Sequence, residues 1–267
     1  MITQKIKAYA KVNIGLKVGK KRSDGYHDID SYFLRIPFSD EITLSLKEGD
    51  YQVVIKGNED YLEEGKTDIM EKAARLYSEK TGKRFSLFIE IEKHIPEKAG
   101  LGGGSSDAAS VLLFLNRYYK CLDKQELILL AKSVGADVPF FVSEAMLARI
   151  NGIGEIVLPL TYSLPYKYVS LFRAAGSGVS TKDAYERLDG RMAEYSPLPP
   201  LSFPLKRESF PNDFELLEGR EMLKHISHLL TNNDFASLSG SGSVWFVLSE
   251  KQINTNIKEF IGSKEII

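Results

Sequence analysis

The stretch that decides the reading is Ile95-Pro96-Glu97-Lys98-Ala99-Gly100-Leu101-Gly102-Gly103-Gly104-Ser105-Ser106-Asp107-Ala108-Ala109. It follows an alternating segment in which Phe85, Leu87, Ile89 and Ile91 share one face, the pattern of a half-buried strand. It leads into a segment, Ser105 to Tyr119, that reads as a helix. Gly100, Gly102, Gly103 and Gly104 remove the Cβ atoms that would keep an anion away from the backbone N–H groups. A run of free N–H groups ending at a helix start forms an anion nest backed by the positive end of the helix dipole. Ser105 and Ser106 add hydroxyl donors where phosphate oxygens would lie, so the stretch reads as a di- or triphosphate cradle. The same glycines would also serve a flexible surface loop or close helix-to-strand packing.

Better-known phosphate motifs do not fit these letters. A Walker A loop needs Lys after its last glycine, and here Ser105 follows Gly104. The dinucleotide fingerprint needs a third glycine where Ser105 stands. No His-Arg-Asp or Asp-Phe-Gly of the protein-kinase set occurs.

Composition narrows what such a loop can be for. With 35 Lys+Arg against 36 Asp+Glu the net charge of the 267 residues is -1, which supplies no bulk field for nucleic acid or an anionic membrane. A polyanion must be bound by local geometry. The 43% hydrophobic and 27% charged content is that of an ordinary folded protein, and the length fits about two domains. Cys121 is the one cysteine, which excludes an intramolecular disulfide; it reads as an inert buried thiol at a helix end, in a cytoplasmic protein.

Around the loop, Tyr9 to Leu16 alternates as a strand, with Val12, Ile14 and Leu16 on one face and Lys11 and Asn13 on the other. Asp24-Gly25 signals a hairpin turn, followed by strands over Ile29 to Ile36, Asp40 to Leu46 and Tyr51 to Ile55. Helical spacing runs from Asp68 to Glu79, and Lys124 to Val134 reads as a helix that Asp123 and Glu126 cap reciprocally. Gly152, Gly154, Pro159 and Pro165 mark a boundary between domains 1–157 and 158–267. Beyond it, Tyr166 to Phe172 and Ser243 to Leu248 read as strands, and Thr181 to Leu188, Glu218 to Leu230 and Lys251 to Ile261 as helices. Strands and helices mix without strict alternation, which predicts an α+β fold.

Three further clusters carry chemistry. Taken singly, Lys11 reads as a solvated strand lysine, Asp137 in Gly135-Ala136-Asp137-Val138-Pro139 as a helix N-cap, and Tyr26-His27 as a hairpin flank. In order along one chain they resemble the galactokinase, homoserine kinase, mevalonate kinase and phosphomevalonate kinase superfamily. The resemblance rests on Ala10-Lys11-Val12-Asn13-Ile14, Asp24-Gly25-Tyr26-His27, Gly100 to Ser106, Gly135 to Pro139, Val179-Ser180-Thr181 with Tyr185, and Ser239-Gly240-Ser241-Gly242-Ser243. Asp-Gly-Tyr-His points to the subfamily that phosphorylates a cytidyl-linked methylerythritol in the non-mevalonate isoprenoid pathway. Three departures are Tyr9, where the family usually has proline, Asp68, where it often has asparagine, and the segment Ala148 to Glu155, a loose version of a tidier family pattern.

The resemblance implies a two-domain fold with a ribosomal-protein-like N-terminal domain and a ferredoxin-like α/β-plait C-terminal domain. It implies ATP and Mg²⁺ as cofactors, with no protein ligand of the metal singled out. Asp137 would take the hydroxyl proton beside Lys11. Lys93, Pro96, Gly100, Leu101, Gly102, Gly103, Gly104, Ser105 and Ser106 would hold ATP. Asn13, Tyr26, His27 and Tyr185 would hold the cytidyl substrate, and Thr181 either joins them or caps its helix. Neither nucleic acid nor membrane is expected as a partner, and no oligomer is predicted. The competing readings are another alcohol kinase of the superfamily and a non-catalytic nucleotide- or RNA-binding module. Tyr26-His27 favours the cytidyl compound over the first, and near-neutral charge with Lys11 and Asp137 present disfavours the second.

Overall fold

In a computed structural model, residues 1–58, 68–174, 180–189, 195–218 and 221–266 are described. Two long strands, β1 (Ile2–Lys21) and β2 (His27–Glu48), pair with each other around the Asp24-Gly25 turn. Contacts divide the chain into two units, each woven from separated segments: Met1–Ala10, Phe38–Pro96 and Gly102–Ala145 in the first, Lys11–Pro37, Glu97–Leu101 and Met146–Ile267 in the second.

In the first unit β3 (Gln52–Lys56) runs parallel to β4 (Phe85–Glu92), with α1 (Ile69–Thr81) on the connection between them. The C-terminal half of β2 pairs antiparallel with β4 and sets Ile42 opposite Ile91, Leu44 opposite Ile89 and Leu46 opposite Leu87. Alternation puts all six on the buried face. Helix α1 buries Met70, Ala73, Ala74 and Tyr77 and packs against α2 (Gly103–Tyr119), which in turn packs against α4 (Val138–Val142). Helix α3 (Lys124–Val134) begins at the expected residue, its Asp123 and Glu126 exchanging both capping bonds.

In the second unit the N-terminal half of β2 pairs antiparallel with β5 (Leu147–Asn151), and β5 with β6 (Ile156–Pro159). Asp30, fully buried, holds this region together: it accepts two bonds from Arg149, at 2.9 and 2.8 Å, and one each from Asn151 Nδ2 and the Leu198 N–H. A separate antiparallel sheet has the order β10 (Phe260–Glu265), β7 (Tyr168–Arg173), β9 (Val244–Ser249), β8 (Phe235–Leu238). Helices α5 (Thr181–Asp189), α6 (Glu215–Glu218) and α7 (Glu221–Ile226) belong to the same unit.

Several expectations change. The two strands expected over 29–46 are one strand, β2, carried through Pro37. Pro37 falls between the span paired with β5, ending at Leu34, and the span paired with β4, starting at Glu41, so neither pairing needs its missing N–H. The helix expected over 251–261 is absent; its end forms β10, paired with β7. The helix expected over 218–230 is α7 followed by a 3₁₀ turn, Ser227–Leu229, with α6 ahead of it. Cys121 is exposed, because α2 ends at Tyr119 and Lys120 turns left-handed at φ 52°.

Candidate functional site

In the first unit, α2 opens with the glycine loop's second half. Gly102 occupies the N-cap with φ 69°, and the first intrahelical bond runs from the Ser106 N–H to the Gly102 carbonyl at 2.9 Å. The amides ahead of it have no acceptor within the helix, which is the donor array an anion requires. Gly104 is exposed, Ser105 half-buried and Ser106 buried. A Cβ on Gly103 would lie 3.0 Å from Ile95 Cγ2, so this glycine lets the helix start close onto the segment that enters the loop. Ile69, at the start of α1, lies within ordinary contact of the Cβ positions of both Gly104 and Gly135. Asp68 caps α1, accepting from the Met70 N–H at 2.6 Å. Asp137 holds the N-cap position of α4 but makes no capping bond, so the N-cap reading explains its place and not its carboxylate.

Lys93, also in this unit, lies between two fully buried carboxylates, 2.5 Å from Asp40 Oδ2 and 2.6 Å from Asp107 Oδ2. Burial opposes its charge, but Asp107 and Asp40 outweigh that and raise its pKa. One ammonium cannot balance two carboxylates. Asp40 also accepts from the His94 and Ile95 N–H groups, whereas Asp107 leaves Oδ1 buried with no partner. Burial, with the Asp40 charge adding, accordingly pushes Asp107 up to about 7. Sequence reasoning selected Lys93 and missed both acids. The available signal was Asp107 itself, the one acid on a helix whose following residues, Ala108-Ala109 and Val111 to Leu115, are mostly apolar.

In the second unit Lys11 is 3% exposed rather than solvated. Its Nζ donates to Asn13 Oδ1 at 2.7 Å and sits 4.5 Å from the centre of the Phe33 ring. Its N–H donates to the Leu101 carbonyl at 2.9 Å, which ties the lysine strand to the first half of the glycine loop. Asn13 Oδ1 also accepts from the Gly240 N–H at 2.9 Å, and Ser239 Oγ donates to the Gly100 carbonyl at 2.8 Å. The Lys-Val-Asn, Gly-Leu and Gly-Ser-Gly motifs, distant in sequence, are therefore bonded to one another.

At the turn end of β1, His27 is buried and stacks on Tyr185 with ring centres 5.1 Å apart. Its Nδ1 donates to the Gly19 carbonyl at 2.8 Å, fixing the ring and leaving Nε2 3.2 Å from Asp189. Phe214 packs edge-on against Tyr185, while Tyr26 is 57% exposed. Thr181 is not the cap of α5: Ser180 Oγ accepts from the Asp183 N–H at 3.1 Å, and Thr181 is an exposed first-turn residue. Val179 lies outside the described residues.

Residues 68–145 match the family described as GHMP kinases N terminal domain. A curated relative from Thermosipho melanesiensis, named 4-diphosphocytidyl-2-C-methyl-D-erythritol kinase, is 36% identical over 94% of this chain and 92% of its own. One of the same name from Fusobacterium nucleatum is 33% identical over 98% and 95%. A crystal structure of 4-(cytidine 5'-diphospho)-2C-methyl-D-erythritol kinase superposes with a TM-score of 0.74 at 33% identity, covering 93% of this chain and 91% of that one. A homoserine kinase from Cytophaga hutchinsonii, at 16% identity and a TM-score of 0.58, shares the fold.

Proposed function

The chain belongs to the 4-diphosphocytidyl-2-C-methyl-D-erythritol kinases of the GHMP kinase family, and from that membership we propose that it moves the γ-phosphoryl group of ATP to the 2-hydroxyl of that cytidyl alcohol, releasing ADP. Asp137 takes the hydroxyl proton as the oxygen attacks phosphorus, and the Lys11 ammonium stabilises the charge that develops. A neutral hydroxyl is a weak nucleophile, and a positioned base is worth about 10² to 10⁴ in rate. The rest of the barrier is lowered by holding the γ-phosphate in line and offsetting its charge, the task of the free amides and serine hydroxyls of the loop from Gly100 to Ser106, with Lys93 and Pro96 at its entry.

Mg²⁺ belongs to this reading as the counter-ion of the nucleotide. It is a hard cation that binds oxygen, and among the described residues no three acidic, histidine or cysteine side chains cluster to hold a metal. The phosphates and water would carry it, and it would supply charge neutralisation. No helix of the described residues is long and apolar enough to cross a membrane. A cytoplasmic enzyme with domains divided near residue 157 completes the proposal.

The observation that carries the substrate assignment is the His27–Tyr185 stack. A phosphate cradle serves any alcohol kinase, whereas a fixed imidazole against a tyrosine, with Tyr26 exposed beside it, suits a pyrimidine ring. Asn13 completes the substrate set through its amide, and Thr181 borders it. Coupled ADP release is expected with the cytidyl alcohol and not with homoserine or mevalonate. Turnover of either of those instead would reject the assignment. Removing the ring in Tyr26→Ala should raise KM for the cytidyl substrate about 10-fold and leave KM for ATP unchanged; the reverse pattern would exchange the two subsites.

A further inference from the structure

Between the strand that enters the glycine loop and the helix that leaves it lies the Asp40, Lys93 and Asp107 cluster. We propose that Asp40 and Asp107 are positioning residues for the nucleotide loop, clasping its two ends through Lys93. Asp40 grips the entry with both oxygens: Oδ1 accepts from the His94 and Ile95 N–H groups at 2.6 and 2.8 Å, and Oδ2 takes Lys93 Nζ at 2.5 Å. Lys93 then reaches the exit, where Asp107 in the second turn of α2 accepts at 2.6 Å. Gly103 completes the closure, since its Cβ position is 3.0 Å from Ile95 Cγ2 and 3.5 Å from Asp40 Oδ2.

The arrangement is costly, because both carboxylates are fully buried and apolar side chains would fill the space without a desolvation penalty. What an ion cluster adds is directional geometry. In a cradle made largely of backbone amides the nearby Lys93 ammonium is held by its two acids and cannot follow a shift, and errors of about 1 Å in such positioning cost about 10²-fold in catalysis. Fixing the spacing between Ile95 and the first turn of α2 therefore fixes where the loop's donors point.

The inference rests on reading the loop as the ATP site and is tested by nucleotide binding, separately from turnover. At a temperature where circular dichroism shows each variant folded, Asp40→Asn and Asp107→Asn should weaken binding of a non-hydrolysable ATP analogue, and raise KM for ATP, by about 10-fold, with KM for the cytidyl alcohol changed less than about 2-fold. Lower melting temperature with unchanged analogue affinity, or equal weakening of both ligands, would overturn the clasp and leave a purely structural cluster. Should neither variant fold, hydrogen exchange on the unmodified protein decides. The His94, Ile95, Ser106 and Asp107 amides are expected to exchange in one cooperative opening, and independent exchange at the two ends would refute the proposal. Unmodified protein that binds the analogue but releases no ADP would reject the kinase reading alone.

Discussion

Asp137→Asn is expected to lower kcat at least about 10²-fold while affinity for ATP and for the cytidyl alcohol stays close to that of the unmodified protein. The amide is nearly isosteric with the carboxylate but cannot accept the hydroxyl proton. Folding should tolerate the change, because asparagine matches aspartate in size and is as good at the N-cap position that residue 137 occupies. Single-turnover and binding measurements on the same preparation separate the effects. Near-normal turnover would mean that another group, or water, takes the proton, and the general-base role would be lost.

Gly100→Ala is expected to damage the protein in a different way, through the backbone. A Cβ at residue 100 would lie 1.9 Å from the Ser239 carbonyl oxygen and 2.7 Å from its carbon, where only main chain could yield. The residue also holds φ 73°, a region that alanine occupies at a cost. Together these should destabilise folding by on the order of 2 to 4 kcal/mol. The loop would also part from the Gly-Ser-Gly turn, so ATP binding should fall in the fraction that remains folded. Gly25→Ala is the control for φ alone, since its Cβ would meet nothing within 4 Å. Denaturant unfolding curves that place the two variants at equal stability would show that the approach of Ser239 is not what requires glycine at position 100.

The legible parts of the sequence were those in which local chemistry and tertiary environment agree. Asp123 and Glu126 mark the start of α3 because a capping box depends only on residues within one turn. The glycine loop was readable because four glycines before two serines on a helix start have a local electrostatic meaning. Residues 251–261 were not readable in this way: Ile253, Ile257 and Phe260 recur at helical spacing, yet pairing of β10 with β7 prevails over that weak pattern. Strand β6 also went unseen, because Ile156 and Leu158 are both exposed and give no alternation to detect.

At the candidate site, residue types were legible and partners were not. Nothing near Lys93 in sequence announces Asp40, which is 53 residues earlier. Lys11 looked solvated because its neighbours Val12 and Ile14 define the opposite face of the strand. Phe33 and Asn13 bury it, and only the folded chain brings Phe33 to it. The N-cap reading of Asp137 was correct for the backbone and silent about the carboxylate.

The hydrogen bonds around Asn13 all run in one sense. Lys11 Nζ donates to Asn13 Oδ1, Asn13 Nδ2 donates to Ser31 Oγ at 3.0 Å, and Ser31 Oγ donates to the Gly15 carbonyl at 2.6 Å. Flipping the Asn13 amide would set donor against donor at Lys11 and at the Gly240 N–H, so the group has one orientation. A chain of aligned donors transmits polarisation along its length. The Asn13 side-chain NH₂ resonances thus form a built-in spectroscopic reporter, one hydrogen bond removed from the lysine, through which the arrival of charge beside Lys11 can be followed in solution without labelling the lysine itself.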